Sequence, residues 1–350
     1  MSSITTTSTA SNTAPQTMDQ TGQHQAVMVW LFAVAAMVFT MVVVGGITRL
    51  TGSGLSMVEW RPLMGILPPL SEAEWMRVYT LYQASPEYQH INFDMDLAAF
   101  KTIFFWEYVH RVLGRLIGLA FGLPLLFFAV KRMIPQGYGL RLTLLLFLGG
   151  FQGVIGWWMV KSGLVDNPEV SQYRLATHLS TALLILALLV WTGLDLKDGR
   201  APKPSGHIMG VIGILAITIV AGAFVAGMDA GKLYNEYPLM GDGFVPVEYG
   251  ELGAKDAFEN PASAQFHHRI LALLVVIGVA TIMRRAIKSG LQIRAYAMMA
   301  AVTAQFILGI ATLLYAVPIS LGTLHQAGAA LLLITLMWSA HGLSLKKASS

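Results

Sequence analysis

The chain has 350 residues, 55% of them hydrophobic and 12% charged, with a formal net charge of +4. That balance excludes an ordinary soluble domain of this size. With no cysteine anywhere, disulfides, iron–sulfur clusters and thiolate-held cofactors are excluded too.

In chain order, residues 1–25 are rich in Ser, Thr and Gln and carry no Lys or Arg. They lack the basic n-region of a signal peptide and read as a disordered tail. Apolar stretches long enough to span a bilayer follow at 26–47, 103–130, 140–160, 173–194, 207–228, 266–283, 293–315 and 320–343. They predict an all-α integral membrane fold of eight transmembrane helices.

Two connections are long. Residues 51–102 contain Gly52, Gly54, Pro62, Pro68, Pro69, the amphipathic stretch Glu72–Tyr82, and the aromatics Trp60, Trp75, Tyr79, Tyr82 and Tyr88. A loop of this length with this aromatic content reads as an ordered lid on the outer surface. The second, 229–262, mixes acids with Gly and Pro.

The connections on the other side hold Lys131, Arg132 and Arg141, then Lys197, Arg200 and Lys203, then Arg284, Arg285, Lys288 and Arg294, with Lys346 and Lys347 in the tail. Their bias puts both termini in the cytoplasm of a multi-pass protein of the bacterial inner membrane. It also accounts for the net charge without nucleic acid, and leaves membrane lipids as the surrounding partner.

The eight helices read as a tandem duplication of two four-helix bundles, parallel repeats about an axis along the membrane normal. The N-terminal half covers 26–195, a linker 196–206, the C-terminal half 207–343 and a tail 344–350. Helices 2 and 6 open with Glu107-x-x-His110-Arg111 and Gln265-x-x-His268-Arg269. Helices 4 and 8 open with Thr177-His178 and Thr323-Leu324-His325. Helices 3 and 7 share Gln152-Gly153 against Gln305 with Gly309, and helices 1 and 5 share Gly45-Gly46 against Gly222.

Four histidines at one depth, two per half, suit two haem sites, since neutral imidazole is a leading haem-iron ligand and ionisable groups at membrane depth are costly. His24, His90, His207, His267 and His341 lack the repeat relation and read as structural or surface residues. Glu107 has only the uncharged Gln265 opposite it, so one half looks catalytic and the other cofactor-holding. A plain ion pair of Glu107 with Arg111, four residues on, is the competing reading. Arg49, Arg111, Arg115 and Arg269 are candidates for haem propionates, with snorkelling as the alternative. The glycines Gly114, Gly118 and Gly122 read first as a helix-packing stripe and second as room for a flat macrocycle.

The pieces Gly45–Met57, Glu59–Pro62, Leu67–Pro69, Phe104–Gly118, Phe151–Met159 and Gln265–Arg269 resemble haem A synthases of the branch shared by mitochondria and proteobacteria. The resemblance implies oxidation of the C8 methyl of haem O to a formyl group, through alcohol and hydrate, giving haem A for cytochrome oxidase. It implies His268 and His325 as ligands of a resident haem B, whose iron is the metal. It implies His110 and His178 as ligands of the substrate haem, with Glu107 as the catalytic carboxylate beside it. Haem O synthase and cytochrome oxidase assembly factors are the partners it suggests. Some relatives carry a cysteine pair in the outer loop; this chain has none.

Two other readings fit four histidines. One is a di-haem b-type electron-transfer protein linked to quinol, and the other a non-enzymatic haem carrier. Oligomeric state stays open, with a homo-oligomer among the alternatives.

Overall fold

The computed structural model describes residues 16–59, 67–164 and 168–348, with side chains from Gly22 onward. The expected tail up to residue 15, together with Trp60 and Pro62 of the expected lid, lies outside the described residues. The helices are α1 (Gln16–Leu50), α2 (Glu72–Gln83), α3 (Pro86–His90), α4 (Leu97–Val130), α5 (Gly139–Lys161), α6 (Gln172–Asp198), α7 (Gly206–Gly227), α8 (Asp256–Glu259), α9 (Pro261–Lys288), α10 (Gln292–Leu314) and α11 (Ile319–Ala348). Among the described residues, eight of these are long and apolar enough to cross a membrane: α1, α4, α5, α6, α7, α9, α10 and α11. The same residues contain no strand beyond an isolated bridge between Met240 and Gly243.

Helix ends overrun the apolar stretches. Residues 16–25, expected to be disordered, continue α1, and residues 344–348 of the expected C-terminal tail continue α11. Once a helix is nucleated, each added residue closes one more backbone bond, so it propagates into polar flanks. The amphipathic stretch forms α2, capped by Ser71, whose side chain accepts from Glu74 N. Ser85 caps α3 and Asp96 caps α4 in the same way. Together α2, α3 and the first turns of α4 enclose an aromatic cluster of Tyr79, Tyr82, Phe100, Ile103 and Phe104, with Trp75 and Tyr88 packed against it.

Within the first four spanning helices, α1 packs on α4 and α6, and α5 on α6; within the second four, α9 packs on α7 and α10, and α10 on α11. Contacts of α1 and α6 with α11, and of α6 with α7, join the two sets. The main apolar core is not spread evenly along the helices. Its buried members begin at Phe121 in α4, Leu183 in α6, Val275 in α9 and Ala330 in α11, beyond all four repeated histidines, and continue toward the end where α6 joins α7. Below we call these the histidine end and the linker end.

The linker end is fastened by charge. Asp195 of α6 is buried and accepts from Arg141 Nη1 at 2.5 Å, His341 Nε2 at 3.0 Å and Ala201 N at 3.0 Å. Arg294 of α10 bonds Asp198 at 2.8 Å. Such charges are tolerated near the membrane because each is paired and hydrogen-bonded.

Candidate functional site

The four repeated histidines sit one to four turns inside α4, α6, α9 and α11, at the histidine end. Each is partly buried. The rings of His268 and His325 are neighbours, with centres 6.3 Å apart and planes nearly perpendicular at 88°. Two imidazoles at that spacing could hold one metal between them. His268 Nδ1 lies 3.0 Å from the Thr218 carbonyl of α7. That bond puts the proton on Nδ1 and leaves Nε2 as the free donor to a metal. His178 Nδ1 is 3.2 Å from Gln152 Nε2, which also donates to the His178 carbonyl at 2.8 Å.

Each ring lies against a glycine of a neighbouring helix. A Cβ on Gly45 of α1 would stand 3.2 Å from His110 Cε1, and one on Gly156 of α5 would stand 3.1 Å from His178 Cε1. On Gly222 of α7 and Gly309 of α10 it would stand 2.8 Å from Cε1 of His268 and His325 respectively. The sequence comparison had aligned Gln152-Gly153 with Gln305 and Gly309. The structural counterpart of Gly309 is Gly156, in a Gln-x-x-x-Gly register that both helices share. His110 Nδ1 and His325 Nδ1 are buried without a hydrogen-bond partner among the described residues. These features fit a haem held between imidazoles in each pair. Among the described residues no group of three His, Asp or Glu converges on one point. A porphyrin needs only the two axial ligands, since it fills the other positions itself.

Glu107 is buried and fully engaged. Ser56 Oγ and Met57 N both donate to Oε2 at 2.7 Å, and Arg111 Nη2 donates to Oε1 at 2.5 Å. Arg111 also donates to the carbonyls of Met57 (2.8 Å) and Glu59 (3.2 Å). The other half repeats this clamp. Gln265 donates to the carbonyls of Ala230 (2.9 Å) and Tyr234 (3.3 Å), and accepts from Arg269 at 3.1 Å. Arg269 reaches the carbonyls of Tyr234 and Leu239, both at 3.0 Å. In each half, therefore, the residue three before the histidine and the arginine after it tie down the segment that follows the first helix.

The remaining candidates separate. Arg49 bridges the halves, donating to the Ala226 carbonyl at 2.8 Å and pairing with Asp229 at 3.5 Å. Arg115 lies a turn deeper in α4, half-buried. Of the unrepeated histidines, His24 and His90 are exposed, His207 bonds Thr281 Oγ1, His267 turns to the Tyr249 hydroxyl at 3.2 Å, and His341 is buried against Asp195. In the glycine stripe of α4, Gly114 abuts Met41, Gly122 is in ordinary contact with Leu146, and Gly118 faces open space. Gln326, next to His325, was not singled out from sequence. Its Nε2 donates to the Val42 carbonyl of α1 at 2.6 Å, across the bare backbone of Gly46.

Residues 28–337 match the family described as Cytochrome oxidase assembly protein. Proteins named Heme A synthase are similar along nearly the whole chain. The one from Nitrosospira multiformis is 43% identical over 95% of this chain and 98% of its own length. That from Parvibaculum lavamentivorans is 46% identical over 92% and 95%, and that from Caulobacter sp. strain K31 is 44% identical over 89% and 94%. The chain belongs to the haem A synthase family. The matched span, from α1 into α11, includes the positions of both histidine pairs, both clamps and the four glycines.

Proposed function

We propose that this chain is a membrane oxidoreductase of haem A biosynthesis, converting the C8 methyl of haem O to a formyl group for cytochrome oxidase. Family membership supports the pathway, and the observation that carries the site is the repeated pair of imidazoles at one level of the helices. The eight spanning helices then form two tandem four-helix halves in a bacterial inner membrane. Both termini face the cytoplasm, by the basic residues at the linker end, and haem O synthase is the partner suited to deliver substrate.

In this reading His268 and His325 hold a resident haem B, and His110 with His178 hold the substrate haem. A resident haem supplies one-electron redox chemistry when bound. The protein's own work is to orient and insulate. Thr218 O fixes the tautomer of His268, and Gln152 steadies His178. The aromatic cluster of α2 and α3 covers the α4 end and keeps bulk water from it. To Glu107 we assign acid–base work on the substrate. It stands one turn before His110, and its counterpart Gln265 cannot ionise. Arg111 and Arg115 are the donors suited to the substrate propionates, and Arg269 to those of the resident haem.

The test is pigment extraction from cells making the protein beside a source of haem O, followed by chromatography and mass spectrometry. The chain should yield haem A, and the Glu107→Ala variant haem O or a partly oxidised haem. Haem B alone in both, with haem O supplied, would replace this reading with an electron-transfer cytochrome.

A further inference from the structure

Four glycines were left over from the mechanism, and they form a set. Gly45, Gly156, Gly222 and Gly309 lie on α1, α5, α7 and α10, and each faces the one repeated histidine of the neighbouring helix. Glycines elsewhere on these helices do not behave this way. Gly149 and Gly153 of α5, and Gly210 and Gly213 of α7, have nothing within 4 Å of an added Cβ. Close helix packing alone would bring backbone or aliphatic neighbours to the glycine; here the nearest atom is the imidazole Cε1 in all four cases.

Two of the four glycines also carry a ring partner one turn before them. The Thr218 carbonyl meets His268 Nδ1, and the Gln152 side chain meets His178 Nδ1. In a helix, residues four apart share one face, so one strip of neighbouring helix supplies both a flat floor and a polar partner for the ring. Those two contacts fix the rotation of an imidazole about its own axis and its reach toward a metal.

The floors differ between halves. Beside His268 and His325 a Cβ would stand at 2.8 Å, a separation that real side chains do not reach, so the ring would have to move. Beside His110 and His178 it would stand at 3.2 and 3.1 Å, tight but open to a shift of a few tenths of an ångström. We propose that these glycines are ring seats that set the presentation of the four imidazoles, and that their fit divides the labour. The close seats at Gly222 and Gly309 hold a haem that stays, and the looser seats at Gly45 and Gly156 serve a haem that enters and leaves. The proposal rests on the assignment of the resident haem to the His268–His325 pair.

The experiment uses the full-length protein purified in detergent, with four single variants, Gly45→Ala, Gly156→Ala, Gly222→Ala and Gly309→Ala. Gly149→Ala and Gly213→Ala are the controls. Haem B content is read from the pyridine haemochrome, ligation from the low-spin electron paramagnetic resonance signal, and helicity from circular dichroism. Alanine favours helix over glycine, so helicity should persist throughout. Gly222→Ala and Gly309→Ala should each shift the low-spin g values and weaken haem B retention roughly tenfold, as loss of a ligand's supporting contact does. Gly45→Ala and Gly156→Ala should keep haem B and its signal, changing only how much haem O or haem A copurifies. Unchanged signals and haem B content in both Gly222→Ala and Gly309→Ala would overturn the proposal, as would equal losses in the controls. An equal loss of haem B in Gly45→Ala and Gly156→Ala would overturn the division of labour. A parent protein that carries no haem would instead sink the functional reading beneath it.

Discussion

Glu107 Oε1 and Arg111 Nη2 meet at 2.5 Å on successive turns of α4, both side chains nearly closed to solvent. The pair therefore does two things at once: it carries the charge assigned to the chemistry, and it anchors Ser56 and Met57 above His110. Glu107→Gln separates the two. A glutamine can still accept from Met57 N, as Gln265 shows that an amide can serve this clamp, but it brings no charge. We expect Glu107→Gln to fold, retain haem and lose haem A formation, measured by chromatography of extracted pigment. Glu107→Ala should also lower stability by about 3 kcal/mol, because it strands a buried arginine, read as a fall in the thermal midpoint.

The two histidine pairs should fail differently. His268→Ala or His325→Ala should abolish the low-spin haem B spectrum of the purified protein. His110→Ala or His178→Ala should leave that spectrum and stop product formation. Absorbance spectra of the four variants decide it, and loss of haem B from His110→Ala would reverse the assignment of halves.

Stability of the α2–α3 cap should depend on pH through Glu87. Its carboxyl is buried, and burial pushes it up to about 7; the Glu107 charge adds to the rise and the Tyr82 hydroxyl bond opposes it. Its ordinary value is 4.5, so the folded state holds the extra proton between about 4.5 and 7. Stability then falls as pH rises through that window and stays lowered above it, by on the order of 3 kcal/mol at most. Thermal midpoints at pH 5.5 and pH 8 should differ for the parent, and the difference should shrink in Glu87→Gln.

At the linker end, Asp195→Ala removes the shared acceptor of Arg141, His341 and Ala201 N. The expected result is a loss of about 3 kcal/mol with haem spectra intact in the protein that remains folded. Thermal melts followed by both helicity and haem absorbance would show it. Altered spectra before melting would mean that the charge cluster reaches the haem level.

The eight spans, the histidine pairs and the Glu107–Gln265 asymmetry were legible because each is written in local sequence: apolar length, or a short repeated phrase. The choice of His268 over His267 could be made from the repeat, and the structure turns them to different neighbours, His325 and Tyr249. What stayed hidden depends on residues far apart in the chain. Nothing near Arg49 announces that it will reach Ala226 on another helix, and nothing near Gly222 announces an imidazole from α9. The recurring Gln-x-x-x-Gly of α5 and α10 was the one local trace of the seats, and it was passed over by pairing Gln152 with Gly153. The start of α1 at Gln16 was missed because hydropathy marks where a helix enters lipid, and hydrogen bonding marks where it begins.

The bond from Gln326 to the Val42 carbonyl ties the neighbour of His325 to α1, the helix whose Gly45 lies against His110. It runs past position 46, where a Cβ would stand 3.3 Å from the Gln326 amide, so a side chain there would make the amide give way by a few tenths of an ångström. The residues at positions 46 and 326 therefore constrain one another, although they lie on α1 and α11, far apart in the chain. A chimaera joining the first half of one relative to the second half of another should work only when both come with a compatible pair.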